Sequence, residues 1–233
     1  MDKMKNGAVL RNGTQRTAKE VFEKYAIVIA FLALLIVVSI LCSSFLTPSN
    51  LILVLNQTSI NGILAVGITY VLITAGIDIS IGSVVGLSGV ISAMVVKAGA
   101  PLPVGFLCGI LAGTLVGVII GILVTKGKLA PYIVTLGFLT IIRGAALLIA
   151  GGRPISSLGD AYGWIGNHNV FGVIPCPVII FLIVVVIGHI ILAHLQIGRY
   201  IYAVGGNSNA AEACGISPNK VKMFVHVFCG TCA

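Results

Sequence analysis

Six mostly apolar runs, each close to the roughly 20 residues that a helix needs to cross about 30 Å of hydrocarbon, dominate this sequence. They cover residues 26–46, 51–75, 79–96, 102–125, 130–150 and 173–195. A seventh begins near Val221 and reaches only Ala233. A bilayer satisfies no backbone polar groups, so runs of this length must be helices that hydrogen-bond internally. The expected fold is therefore all-α: a polytopic transmembrane helix bundle with about six complete spans and a truncated seventh. Only 9% of residues are charged, far too few to coat a soluble domain of 233 residues.

The formal charge of +8 does not indicate a nucleic-acid partner, because the basic residues sit at the ends of apolar runs and form no basic face with interleaved aromatics. With the N-terminus placed in the cytoplasm, the inner segments carry Lys3, Lys5, Arg11, Arg16, Lys19, Lys24, Lys126, Lys128, Arg199, Lys220 and Lys222, and the outer loops only Lys97 and Arg153. This asymmetry follows the positive-inside rule. It divides the chain into a cytoplasmic segment, 1–25, and a transmembrane domain, 26–233. The run 79–96 is short and Gly-rich; were it re-entrant, everything after it would invert. The first run is too long for the core of a cleaved signal peptide and is read as a retained span. An outer loop between Gly151 and Phe171 carries Arg153, Asp160, Trp164 and His168.

Catalytic motifs are missing. The sequence contains no HExxH, GxSxG or P-loop pattern, and its few acids are too scattered for paired-carboxylate chemistry. No catalytic residue, metal site or bound cofactor is expected, and the chain has no Walker A loop with which to bind ATP. Cys229 and Cys232 form CGTC beside His226, but strand-helix context and a second ligand pair are lacking, so all six cysteines are read as packing residues. His189 and His194, five apart, are expected to lie off one helical face.

Three groups of residues bear on packing and transport. Gly105, Gly109, Gly113, Gly117 and Gly121 recur every four residues, a stripe that admits close approach of a neighbouring backbone. Asp78 is the one carboxylate between Glu23 and Asp160. It could serve an ion path, but its place between two spans, beside Gly76, favours a cap or gate on the helix beginning at Ile79. Asn56, Gln57 and Asn61 in the second span, and Thr135 and Arg143 in the fifth, need polar partners at that depth. They are candidates for a translocation path for a hydroxylated solute, or for interhelical bonding.

The stretch GRYIYAVGGNSNAAEACGISPNKVK, 198–222, is the polar exception. Gly198 is expected to end the sixth span, with Gly205 and Gly206 as breaks. Asn209 would cap a short helix with Glu212 three residues on, Gly215 would stop it in a left-handed conformation, and Ser217 with Pro218 would start the re-entering helix. A short helix offering Ala210, Ala211, Ala213 and Cys214 with one acid has the character of a docking element.

This stretch resembles the cytoplasmic coupling loop of ribose/xylose/galactose-type ABC transporter permeases, through Gly198, Gly205, Gly206, Asn207, Ala210, Ala211, Glu212, Gly215 and Ile216. AGIDISIGSVVGLSG is similar to a second signature of that family, through Gly76, Ile77, Asp78, Ser80, Gly82 and Ser83. LAPYIVTLGFLTIIRGAALLIAGGRPI matches a third region, through Pro131, Thr135, Leu136, Gly137, Arg143, Gly144 and residues 151–154. The resemblance implies a permease subunit for a monosaccharide in the bacterial cytoplasmic membrane. It also implies an ATPase subunit, holding the ATP, that docks on the coupling loop 198–220, an extracytoplasmic sugar-binding protein, and a second permease copy. Such permeases continue through further spans, so a C-terminally truncated member is expected. Alternatives are a proton-coupled secondary transporter using Asp78, or a non-transporting membrane interaction fragment.

Overall fold

The computed structural model describes residues 25–156, 158, 162, 163, 169, 170 and 174–233. The basic N-terminal segment 1–24 and, in the polar loop, Asp160, Trp164 and His168 lie outside the described residues. The elements are α1 (Tyr25–Leu41), α2 (Pro48–Ile73), α3 (Ile81–Lys97), α4 (Leu102–Thr125), α5 (Pro131–Ile149), β1 (Asn169–Val170), β2 (Ile174–Pro175), α6 (Cys176–Ala193), α7 (Gln196–Gly206), α8 (Ser208–Ala213) and α9 (Pro218–Cys232). The two strands form a small antiparallel pair, with Val170 opposite Ile174.

The ends of these helices follow local chemistry. Pro48, Pro131 and Pro218 each occupy a first helical position, where the missing N–H would have had no partner in any case. Gly99 follows α3 at φ +95°, and Gly151 and Gly152 follow α5 at +66° and +69°, left-handed conformations that release the chain from the helix. By length and composition, α2, α4, α5 and α6 can each cross a membrane, whereas α1 and α3, with 17 residues, are shorter apolar helices. The first span is thus shorter than 26–46. The chain turns after Leu41, where Thr47 Oγ1 donates to the Ser44 carbonyl and Asn50 Nδ2 to the Phe45 carbonyl.

The chain divides into two compact units, one ending at Leu53 and one running from Val54 to Ala233. In the second unit α4 is the axis. Its five spaced glycines are all buried, and they serve two neighbours instead of the single neighbour that a stripe suggests. A Cβ on Gly105 or Gly109 would lie 3.1 Å from the Ser92 or Ser88 carbonyl of α3, whereas one on Gly117 would collide with the His226 carbonyl of α9. Gly113 faces both, meeting Ser88 Oγ and the Gly230 carbonyl, and Gly230 in turn faces the Gly113 carbonyl. The cause is geometric. Four residues at 3.6 per turn overshoot a full circle by about 40°, so the stripe rotates roughly 160° between Gly105 and Gly121.

Two apolar cores flank this axis. Val84, Leu87, Val116, Ile120, Val134 and Ile142 join α3, α4 and α5. Tyr70, Val71, Ile201, Val204, Val221 and Val225 join α2, α7 and α9. The Tyr70 hydroxyl donates to the Gly188 carbonyl of α6 at 2.7 Å, satisfying a buried polar tip, and its ring packs on Phe228 at 4.4 Å between centroids. Outward positions are as apolar as inward ones: Leu148 is 84% exposed and Ile133 68%. A helix hydrophobic all round belongs in lipid.

Gly117→Val should force α4 and α9 apart and cost about 1–3 kcal/mol. Gly137→Ala, on an α5 surface with nothing within 4 Å, should be neutral or stabilising by up to about 1 kcal/mol. Thermal unfolding in detergent compares them; equal effects would refute the close-approach account.

Candidate functional site

The polar stretch folds into a platform made of α7 and α8. In α7 the buried residues Gly198, Ile201 and Val204 recur every three positions and form one inward face, with Arg199 and Tyr202 outward. The expectation that Gly198 and Gly205 interrupt the chain is overturned, since both lie inside α7, whereas Gly206 is its last residue, before the extended Asn207. Gly198 and Gly205 are there for approach, not for turning, whereas Gly206 has nothing within 4 Å of where a Cβ would stand. A Cβ on Gly205 would strike the Ile73 carbonyl at the end of α2, and one on Gly198 the Leu192 carbonyl of α6.

The cap of α8 also differs from expectation. Asn207, not Asn209, holds the extended N-cap conformation at φ −157°, and its side-chain oxygen accepts from the Asn209 and Ala210 amides at 3.1 and 3.0 Å. Glu212 is therefore too far along the helix for a capping box, and its side chain is exposed. Ala211 turns inward at 5% exposure, while Asn207, Ala210, Ala213 and Cys214 face outward. Gly215, at φ +83°, ends the helix; its N–H bonds the Glu212 carbonyl and that of Ile216 the Ala211 carbonyl. Ser217 occupies the N-cap of α9 without a side-chain capping bond, so Pro218 alone shapes that start.

Beneath the platform, residues 74–80 form a junction. α2 closes with Ala75 at φ +58°, the Gly76 N–H bonded to the Val71 carbonyl at 3.0 Å and Thr74 Oγ1 donating to the same carbonyl. Asp78 does not cap a helix starting at Ile79, because α3 starts at Ile81 with Ser80 as its N-cap. Its Oδ1 instead accepts from the Ser80 N–H at 2.8 Å and the Ser80 hydroxyl at 2.6 Å, a side-chain turn that holds the chain before α3. Its Oδ2 faces the Cys229 thiol of α9 at 3.9 Å. On the other side, the buried Thr135 hydroxyl of α5 reaches the Ile77 carbonyl at 3.4 Å and the Tyr132 carbonyl at 3.3 Å. Asp78 is thus a structural knot between α2, α3 and α9, with α5 beside it.

The candidate path residues do not converge. Arg143 lines a cavity of about 420 Å³ with Ile79, Gly82, Ser83, Gly86, Leu139 and Ala146, and Asn56, Gln57, Asn61 and Thr135 are not among its walls. Gln57 and Asn61, one turn apart, are exposed on α2, and Asn56 is half-buried. A larger cavity of about 590 Å³ is mostly apolar, walled by residues such as Ile63, Val85, Phe106 and Phe228. Among the described residues no cluster could hold a metal ion, and Cys229 and Cys232 are free thiols packed near Gly67. His189 and His194 do meet edge to face at 5.7 Å, because His194 already lies past the end of α6. Sequence reasoning missed the Cys229–Asp78 contact and the buried His226, whose Nδ1 pairs with the Lys222 carbonyl at 2.8 Å. It also missed Ser80 as the partner of Asp78, although the Asp-x-Ser spacing carried that signal.

Known proteins give this geometry a context. The family described as branched-chain amino acid transport system / permease component matches residues 50–233. The ribose import permease protein RbsC of Escherichia coli (strain K12) is 38% identical over 209 residues, 88% of this chain and 65% of that protein. RbsC of Bacillus subtilis (strain 168) is 40% identical over 211 residues, 90% of this chain and 66% of that protein. The D-allose transport system permease protein AlsC of Escherichia coli (strain K12) is 34% identical over 217 residues, 91% and 65% respectively. The chain thus spans just under two thirds of the length of these curated relatives. No solved structure matches it.

Two substitutions test the local geometry. Asn207→Ala should cost α8 about 1 kcal/mol and speed amide exchange at Asn209 and Ala210 roughly fivefold. Asp78→Ala should destabilise the junction by about 1–3 kcal/mol in detergent unfolding, whereas Asp78→Asn, which keeps an acceptor oxygen, should lose less than half as much. Equal losses would mean that the charge matters and the turn does not.

Proposed function

The chain belongs to the branched-chain amino acid transport system / permease component family, and from that premise we propose that it is a permease subunit of an ATP-binding-cassette importer for a monosaccharide. The solute class rests on the relatives, whose names carry ribose and D-allose. The coupling role rests on one observation above all: α8 is a capped helix, pinned inward by Ala211 and held beside an α7 whose Gly205 sits on the last carbonyl of α2.

In this reading the chain lies in the bacterial cytoplasmic membrane with its N-terminus and platform in the cytoplasm. An ATPase subunit, which binds and hydrolyses the ATP, docks on Asn207, Ala210 and Glu212, with Gly206 and Gly215 leaving room at either end. The permease binds no cofactor of its own. When the ATPase pair closes, the push on α8 passes through Ala211 and Gly205 to the end of α2, then through the Asp78 turn to α3. A second permease copy completes the pathway, and an extracytoplasmic binding protein delivers the sugar. Bistable packing of this kind switches between states where a softer loop would absorb the push.

Co-expression with the ATPase subunit of a sugar importer of this family provides the test. The two should co-purify, and Glu212→Lys should weaken the complex at least about tenfold, equivalent to about 1.4 kcal/mol. Unchanged co-purification would remove α8 as the contact.

A further inference from the structure

The cavity that holds Arg143 has features that neither helix packing nor the platform explains. Ser83 Oγ donates to the Leu139 carbonyl at 2.9 Å, so the first turn of α3 lies beside the ninth residue of α5. Counted along α5, Leu139 is about 12 Å and Arg143 about 18 Å from Pro131, in a helix about 28 Å long. α3 therefore starts well inside the depth that α5 spans, and Arg143 stands one turn above that start, near the middle of the span. Among the described residues no hydrogen bond or ion pair engages its guanidinium.

A charged side chain at that depth is costly unless water or a ligand compensates it. Guanidinium offers five N–H donors and no acceptor, so what compensates it must bring acceptor oxygens. The opposite wall is Ser83, whose hydroxyl proton is committed to Leu139 and whose remaining lone pair can only accept. Gly82 and Gly86 have nothing within 4 Å of where a Cβ would stand, so this face is open and flat. Ile79, Leu139 and Ala146 supply apolar surface. An inorganic anion would satisfy the arginine but place charge against three aliphatic side chains.

We infer that the 420 Å³ cavity between α3 and α5 is a mid-membrane polyol site, in which Arg143 donates to adjacent hydroxyl oxygens and Ser83 Oγ accepts from a third. A sugar ring matches these demands, because its rim both donates and accepts while its C–H faces pack on aliphatic carbon. Arg143 is then a specificity-determining residue for the transported solute. The inference rests on the permease reading and deepens it, but it requires no contact with the ATPase.

Gly86→Cys provides a probe that the open space beside Gly86 accommodates. The full chain carrying it, in membrane vesicles, is treated with a charged methanethiosulfonate reagent, and modification at position 86 is read by peptide mass spectrometry. The introduced thiol should react from the aqueous phase, and at least one of D-ribose, D-allose and L-arabinose should slow the reaction several-fold, with inorganic phosphate having no effect. Adding Arg143→Gln should leave the basal reaction rate within about twofold and abolish sugar protection, and Arg143→Lys, which keeps one donor group, should restore part of it. An unreactive thiol at position 86, no protection by any of the three sugars, protection that survives Arg143→Gln, or equal protection by phosphate would each overturn the proposal. Sugar protection with unimpaired ATPase binding in Glu212→Lys would leave this site standing and remove the docking surface alone.

Discussion

Backbone contact along α4 is the constraint on which the rest of the second unit depends. Helices in lipid gain little from apolar burial against one another, so dispersion at close range and a few polar contacts must hold them. The five glycines let α3 and α9 approach α4 on two different sides, and the rotation of the four-residue spacing determines which glycine serves which neighbour. With both helices fixed against one axis, Cys229 of α9 and Ser80 at the start of α3 are brought to the same carboxylate, Asp78. The junction is thus a consequence of helix packing elsewhere, since nothing in residues 74–80 alone would position α9.

That junction also gives the acid a structural task. Oδ1 of Asp78 is committed to two donors from Ser80, and Oδ2 faces a thiol. A coupling carboxylate needs a solvated route and freedom to change partners. This one secures the turn that lets α3 begin deep beside α5, and the depth of that start places the Arg143 cavity near the middle of the span. α3 is correspondingly short, at 17 residues.

Much of the bundle was legible in the sequence because its signals are local. Apolar runs marked the helices, α4 was placed at its observed limits, and Gly215 and Pro218 marked ends in the polar stretch. What stayed hidden depended on distant partners. Tyr70 and Gly188 are 118 residues apart, and neither position announces the other. Asn207 and Asn209 flank one serine and have equal capping chemistry; only the extended backbone at Asn207 decides between them. The polar residues of α2 and α5 looked like one group because depth can be read from sequence, whereas azimuth around a bundle cannot. The structure leaves Gln57 and Asn61 on an exposed face of α2 and sets Arg143 in a cavity lined by α3 and α5.

The glycines of α7 show how one residue type can mislead. Glycine is favoured at turns because it tolerates left-handed backbone, and it is favoured at contacts because it lacks a Cβ. Gly205 and Gly206 adjoin a polar segment, so the first property is the obvious reading. At Gly205, inside the helix, the second is the relevant one, whereas Gly206 closes the helix with open space beside it. At this point no side chain stands between Gly205 and the Ile73 carbonyl, so the backbones meet directly, beside the Val71, Ile201 and Val204 side chains that also join the two helices. Under the proposed coupling, a displacement of α8 that reached α7 would bear directly on Ile73, one residue before the turn that leads to Asp78 and α3. A β-carbon at position 205 would push α7 away from α2 and insert a compliant contact where the geometry now provides a stiff one.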